Sequence, residues 1–196
     1  MNLYLFDFDG TLTNKDSMLE YVKFINKNRL EYFLKNIVFI PIYLIFLFGF
    51  MEARVAKIIF LKIHFFDYNE DYLKRRAKEF SKEAIKFLHP GVRSYLDSIK
   101  DEKCIVSASL DLWMIDISET LNTSLICTET IFKENIFKGI KKNCNGKEKV
   151  TRIKKNMILR NMTKYMFLVI QEVILKCMKL ERKSIIILNE NIFKRL

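Results

Sequence analysis

The first residues of the chain join an apolar strand pattern to two closely spaced carboxylates. Residues 2–8 are almost continuously apolar, and the stretch FDFDGTLT places Asp7 and Asp9 at the end of this run. Such a run, followed by a glycine turn, predicts a strand that is buried on both faces of a parallel sheet. Alternate residues of a strand share a face, so the two carboxylates are expected to converge and to need a positive partner. On spacing alone, a pair of turn-capping aspartates explains the pattern equally well.

The rest of the sequence alternates helical and strand patterns. Residues 16–87 have a helical pattern, whereas CIVSAS and SLICTET have the pattern of buried strands on either side of the helical stretch LDLWMIDISETL. This alternation predicts an α/β fold with a parallel sheet, whose reactive groups gather at the carboxyl ends of the strands. We therefore predict a discontinuous core, residues 1–15 and 88–155, with a helical insertion at 16–87.

Three motifs follow one another in the order used by the haloacid-dehalogenase-like (HAD) phosphatase superfamily. D-x-D-G-T-L-T resembles its first motif, CIVSAS its second and NGKEKV its third. SASLDLW and NCNGKEKV are most similar to subfamily IB, the branch that contains phosphoserine phosphatase and phosphatidylglycerophosphatase C. The resemblance covers about residues 1–155. It implies a Rossmann-like core in which the helical insertion forms a cap.

The resemblance also implies a mechanism with an aspartyl-phosphate intermediate. Asp7 would be the nucleophile, and Asp9 the general acid and base. Thr11, Ser107 and Lys149 would bind the phosphoryl group. Mg²⁺, held by the Asp7 carboxylate and the Asp9 backbone carbonyl, would supply the positive charge. Without the family context, a serine at a strand end such as Ser107 is more often a turn residue, and a lysine in a basic stretch such as Lys149 is more often a solvated charge.

Two residues of the insertion are candidates for substrate binding. Asp16 and Arg54 stand where the same branch carries an acidic residue that faces the substrate and a substrate-binding arginine. A helix N-cap explains Asp16 as well, and a surface salt bridge explains Arg54 as well.

Residues 37–51 (IVFIPIYLIFLFGFM) are apolar apart from the hydroxyl of Tyr43. A bilayer span takes about 20 apolar residues, and Pro41 is expected to kink a helix. The run is therefore predicted to be either the core of the cap or an interfacial segment on an anionic membrane. The second alternative favours a phosphorylated lipid headgroup over phosphoserine. It also favours a cytoplasmic protein that is peripheral to the inner face of the membrane.

The formal net charge of +11 is compatible with nucleic acid, an anionic membrane or a phosphorylated substrate. The basic residues are spread over amphipathic segments, without the aromatic-interleaved motifs of RNA-binding modules, so no nucleic-acid partner is predicted. The four cysteines form no C-x-x-C pair, which favours a reduced, cytoplasmic setting. No secretion signal is predicted, because Asp7 and Asp9 interrupt the N-terminal apolar run.

The sequence after residue 155 lacks the fourth motif of the superfamily. That motif, G-D-x-x-x-D or G-D-S-x-G-D, completes the Mg²⁺ site, but no Asp follows Asp116 and no Gly follows Gly146. Glu172 is the nearby carboxylate, and without a glycine turn its expected place is a solvated helix face. We predict that the chain is inactive or impaired, and that residues 156–196 form an aberrant, helical tail.

The codons of residues 156–174 can encode the missing motif in another reading frame. Read from the third base of each codon, with suitable wobble bases, they give YDFKKYDEIYVFGDSRGD. We therefore predict a frameshift near residues 154–156, after which the translation is out of frame. The competing prediction is a membrane-associated remnant without catalysis.

Overall fold

The computed structural model describes residues 3–26, 28–159 and 165–168. They form a parallel sheet, a block of helices between its first two strands, and a β-hairpin. The strands are β1 (Leu3–Phe6), β2 (Glu102–Leu110), β3 (Ser124–Thr128), β4 (Thr130–Lys133), β5 (Ile136–Ile140) and β6 (Tyr165–Leu168). The sheet has the order β3-β2-β1-β6 with all neighbours parallel, and β4 and β5 pair as the antiparallel hairpin.

Five of the seven helices in the described residues lie between β1 and β2, and the first four of them form one block. The helices are α1 (Ser17–Ile25), α2 (Arg29–Leu47), α3 (Ala53–Phe65), α4 (Glu70–Ala84), α5 (Val92–Ser98), α6 (Asp111–Thr120) and α7 (Lys147–Leu159). A short 3-10 turn, Ile85–Phe87, follows α4. This arrangement confirms the predicted α/β class, with a parallel sheet and an inserted helical block, which we call the cap.

The two faces of β1 explain why its sequence is continuously apolar. Leu3 and Leu5 belong to one buried cluster, which includes Val150 of α7. Phe6 and Phe8 belong to the other, which continues through α5 and α6 into the cap. Because side chains of a strand alternate between faces, a strand that is covered on both sides needs apolar residues at successive positions.

The apolar run at residues 37–51 is not the core of the cap. It forms most of α2 and the turn that follows, and none of the residues of α2 is buried. Pro41 lies inside this helix, which begins at Arg29 and so extends well before the apolar run. Within the described part of the chain, α2 is the helix that is long and apolar enough to cross a membrane, by length and composition only.

The chain beyond residue 155 contributes the end of helix α7 and strand β6 to the fold. The predicted boundary between residues 155 and 156 falls inside α7. β6 pairs with β1 in register, from Leu3 opposite Tyr165 to Phe6 opposite Leu168. Glu172, like all of residues 169–196, lies outside the described residues.

Candidate active site

The chain turns sharply where β1 ends and thereby brings Asp7 and Asp9 to one pocket. Backbone N–H groups of the next turn return to the carbonyl of Phe8, with Leu12 N at 3.0 Å. Gly10 has φ +71°, a left-handed conformation that favours glycine. The pocket, a cavity of about 430 Å³, lies between the ends of β1 and β2, the start of α1, and α3.

Asp7 is paired with Lys149 in a nearly water-free position. Lys149 Nζ lies 2.8 Å from Asp7 Oδ1, and the two side chains are 4% and 9% exposed. The backbone N–H of Phe8 donates to the same oxygen at 2.9 Å. Lys149, in the first turn of α7, is therefore a positive partner of the kind that the sequence requires. The pair fixes the orientation of a carboxylate that faces the pocket.

Both oxygens of the Asp9 carboxylate accept hydrogen bonds. Oδ1 accepts from the backbone N–H of Ser17 at 2.7 Å, and Oδ2 accepts from the Ser109 hydroxyl at 2.6 Å. Burial raises the pKa of Asp9, and the hydrogen bonds from Ser109 and Ser17 oppose this rise. A carboxyl group with a raised pKa holds a proton more readily, which suits a general acid.

A chain of buried hydrogen bonds extends from Asp9 into the core. The hydroxyl of Ser17 donates to Ser109 Oγ at 2.9 Å, and Trp113 Nε1 donates to Ser17 Oγ at 3.1 Å. Ser109, Ser17 and Trp113 are not among the residues that the sequence predicts for the site. The signal was present in SAS, because residues two apart on β2 share a face.

Ser107 and Asp16, two of the candidate site residues, both line the pocket. Ser107 is buried, and its Oγ accepts from the backbone N–H of Ser109 at 2.9 Å. Asp16 is also the N-cap of α1, since its Oδ1 accepts from the backbone N–H of Leu19 at 3.0 Å. The two alternatives for Asp16 are thus compatible.

The structure does not bring Thr11 or Arg54 to the wall of the pocket. Thr11 is buried in the turn, where its backbone N–H donates to Phe8 O at 3.2 Å. Arg54 points to the hairpin and donates to the carbonyl oxygens of Ile140 and Lys141, at 2.9 and 3.1 Å. Arg54 therefore joins the cap to β5, a role that differs from the predicted substrate contact.

Lys57 is the cap cation that reaches the pocket. It lies one turn after Arg54 on α3, and its Nζ donates to the Ala108 carbonyl oxygen at 2.7 Å. Burial lowers the pKa of Lys57, and the nearby carboxylates of Asp16 and Asp9 oppose this effect. A positive side chain at this place can contact an anionic part of a ligand beyond its phosphoryl group.

The described residues fit Mg²⁺ in part. Asp7 and Asp9 offer the hard oxygen ligands that this ion prefers. Within residues 3–26, 28–159 and 165–168, however, no group of three or more Asp, Glu, His or Cys side chains could hold a metal ion. Lys149 and Ser109 also engage the same carboxylates. Asp7 and Asp9 are therefore the candidate metal ligands among the described residues, and no third acidic ligand joins them in this part of the chain.

The chain matches the sequence model of a known family, and its fold is similar to those of solved structures. Residues 4–165 match the model of the haloacid dehalogenase-like hydrolase family. A protein of unknown function from Bordetella pertussis Tohama I has a similar fold, with TM-score 0.72 and 19% identity, over 89% of this chain and 85% of that one. A phosphoserine phosphohydrolase-like protein from Francisella tularensis subsp. tularensis SCHU S4 has TM-score 0.61 and 18% identity, over 91% and 82%. Among curated proteins, none matches the chain.

A third solved structure, a HAD family hydrolase from Salmonella enterica subsp. enterica serovar Typhi, has TM-score 0.60 and 13% identity, over 91% of this chain and 59% of that one. At these identities the solved structures show a common fold. The family match runs from β1 to the start of β6 and spans Asp7, Asp9, Ser107 and Lys149. It confirms the resemblance found in the motifs and the predicted hydrolase class. The chain belongs to the haloacid dehalogenase-like hydrolase family.

Proposed function

We propose that the site hydrolyses phosphomonoesters through an aspartyl-phosphate intermediate, with Mg²⁺ as cofactor. The observation that carries this proposal is the pair of first-motif carboxylates at one pocket. Asp7 is held by Lys149 at 2.8 Å, and Asp9 has a raised pKa. One carboxylate is thus held in place by an ammonium group, and the other holds a proton more readily. These are the properties that a nucleophile and a general acid require.

In the first step, an Asp7 oxygen attacks the phosphorus atom while the bond to the leaving oxygen breaks and Asp9 gives that oxygen its proton. In the second step, Asp9 takes a proton from water, whose oxygen attacks phosphorus and releases Asp7 and inorganic phosphate. Lys149 and the Ser107 hydroxyl stabilise the phosphoryl oxygens, where negative charge is concentrated. Mg²⁺, held by Asp7 and Asp9, would neutralise further charge on the phosphoryl group.

The substrate that we favour is a phosphorylated lipid headgroup or a small phosphorylated metabolite. Lys57 provides a second cation near the one that pairs with Asp7, so an ester with an additional anionic or polar group fits the pocket. The unburied helix α2 packs against α3, which carries Lys57, and this favours a lipid substrate. Phosphoserine is the alternative within subfamily IB.

We further propose that this chain is impaired and that its gene, or the reading of it, contains a frameshift. The resemblance implies a further acidic ligand from the fourth motif, and without that motif Asp7 and Asp9 would have to hold Mg²⁺ with only water and the substrate phosphate as additional ligands. With suitable wobble bases, the codons of β6 in the shifted frame can specify the apolar residues IYVF, followed directly by GDSRGD. Since β6 lies beside β1, that motif would follow a strand adjacent to Asp7, which supports the proposal.

The test compares the chain as printed with a version that carries the shifted reading from residue 156. Both are assayed with Mg²⁺ on p-nitrophenyl phosphate, phosphoserine and phosphatidylglycerophosphate, and Asp7→Asn in each version is the control. We expect turnover in the restored version that Asp7→Asn abolishes, and little in the printed chain. Full turnover by the printed chain refutes the impairment, and absence of Asp7-dependent turnover from both refutes the phosphatase.

The non-enzymatic alternative, a membrane-associated remnant, rests on the incomplete acidic set in the described residues. It predicts that restoring the tail gives no turnover. Sequencing the locus across codons 150–180 separates the two cases at the level of the gene. An uninterrupted frame without bases for GDSRGD would remove the frameshift.

A further inference from the structure

An extended exposed apolar surface lies on α2 and on the turn from α2 to α3. This turn, residues 48–51, is called the tip below. Large apolar side chains are exposed along the helix and at the tip, where Phe48 is 73% and Phe50 is 84% exposed. Burial of a phenylalanine side chain contributes about 1.5–3 kcal/mol. A soluble chain that leaves this surface in water therefore forgoes several such contributions.

The exposed apolar arc of α2 is wider than a protein partner normally covers. At 100° per residue, the exposed apolar positions span about 220° of the helix circumference. They are Leu30, Phe33, Leu34, Ile37, Val38, Ile40, Tyr43, Leu44, Ile45 and Leu47. The remaining arc packs on α3, with the rings of Phe39 and Phe60 5.0 Å apart. A helix that is apolar on nearly every side is normally buried in a core or in lipid, and here the core is excluded.

The charged side chains of α2 are confined to its N-terminal end. The ionised side chains lie in its first two turns, where Lys35 Nζ pairs with Glu31 at 2.8 Å and with Asp67 at 3.1 Å. From Ile37 to Met51 no side chain is ionised. The helix is therefore charged at its N-terminal end and apolar toward the tip. This distribution suits an element whose tip enters a bilayer while its other end stays outside.

The fold is compatible with insertion of α2 and the tip into one leaflet, but not with a full crossing of the bilayer. After the tip the chain returns along α3, whose Phe60, Leu61 and Phe65 are buried in the cap. Arg54, at the start of α3, binds the carbonyl oxygens of Ile140 and Lys141. At the other end of this pair of helices, Lys35 of α2 pairs with Asp67, just beyond α3, at 3.1 Å. Both ends of the α2–α3 pair therefore lie on the same side, and a full crossing would pull α3 out of the cap core.

We propose that α2 and the tip insert into one leaflet of a phospholipid bilayer. The protein would thereby be held at the membrane surface as a monotopic protein. Helix α3 follows the tip directly and carries Lys57 into the pocket, so insertion places the pocket near the lipid headgroups. The identification of a headgroup as substrate rests on the proposed function, whereas the insertion itself does not.

The test is co-sedimentation of the full chain with vesicles of phosphatidylcholine and phosphatidylglycerol. We expect the double variant Phe48→Asp, Phe50→Asp to lower the vesicle partition coefficient more than about tenfold, because two apolar anchors become charged. Phe66→Asp is the matched control, since Phe66 is 87% exposed at the far end of α3. It is expected to bind like the unmodified chain. Thermal unfolding of each variant shows that the fold is kept.

Binding that persists at about 1 M NaCl, where charges are screened beyond about 3 Å, supports apolar insertion. Its loss at that salt concentration overturns the proposal in favour of electrostatic adsorption. Equal loss of binding in Phe66→Asp also overturns it. So does a stable dimer in lipid-free buffer that the double variant dissociates, because a second copy would then cover α2. Turnover of soluble p-nitrophenyl phosphate by the restored chain tests the proposed function separately.

Discussion

Replacing Lys149 by methionine leaves the Asp7 carboxylate buried without its counter-charge. The two side chains are 4% and 9% exposed, so water cannot replace the lost ammonium group. Removing one partner of a buried ion pair costs about 3–5 kcal/mol. This is a large fraction of a typical unfolding free energy of about 5–15 kcal/mol. We therefore expect Lys149→Met to lower the free energy of unfolding by about 3 kcal/mol when divalent metal is absent.

The assay is urea unfolding in EDTA for Lys149→Met, Asp7→Asn and the double variant. Asp7→Asn in the Lys149→Met background removes the unpaired charge, so we expect the double variant to be more stable than the sum of the single effects predicts, by about 2 kcal/mol. Lys147→Met is the control, because Lys147 is exposed on the same helix and should change stability by less than about 0.5 kcal/mol. Additive effects of the two single variants, within about 0.5 kcal/mol, would refute the buried pair.

Three further predictions concern the cap and the pocket. Burial lowers the pKa of His64 from 6.5 to about 4, so the stability that its neutral form provides is complete above pH 6.5 and declines as the pH falls toward 4. His64→Gln should flatten this decline in thermal unfolding, and an unchanged pH dependence would contradict it. In the restored enzyme, Lys57→Met should raise KM for a charged phosphomonoester at nearly constant kcat, whereas Arg54→Met, outside the pocket, should leave KM unchanged. Ser109→Ala removes a hydrogen bond to the carboxylate of Asp9 and should lower kcat about tenfold, with recovery in Ser109→Thr; equal rates in Ser109→Ala and the unmodified enzyme would argue against this role.

Strands β1, β2 and β3 were predictable because each is a short apolar run that ends in small or polar residues, whereas β6 was not predicted as a strand of this chain. The hairpin β4–β5 was not predicted, because its turn lacks the glycine that usually marks a two-residue hairpin turn. Glu134 and Asn135 adopt positive φ, 53° and 61°, and the turn contains no glycine. Because each strand has only four or five residues, the pattern was too short to separate from a loop.

The residues that line the pocket were predictable only where they lie at the ends of neighbouring strands or in fixed motifs. Asp7, Asp9 and Ser107 lie at adjacent strand ends, so parallel topology alone brings them together. Whether Arg54 or Lys57 faces the pocket depends on the rotation of α3 about its axis, which the packing of the whole cap determines. The exposure of α2 depends likewise on tertiary contacts that no local pattern contains.

Trp113 is the one tryptophan of the chain, and it lies at the far end of the hydrogen bonds that begin at Asp9. Its indole ring is fully buried and stacks on Tyr21, with ring centroids 4.8 Å apart. Indole emission responds to the polarity and hydrogen bonding of the ring. Intrinsic fluorescence at a single wavelength can therefore report, without an added label, when a ligand or ion rearranges the carboxylate at the other end of this chain of bonds.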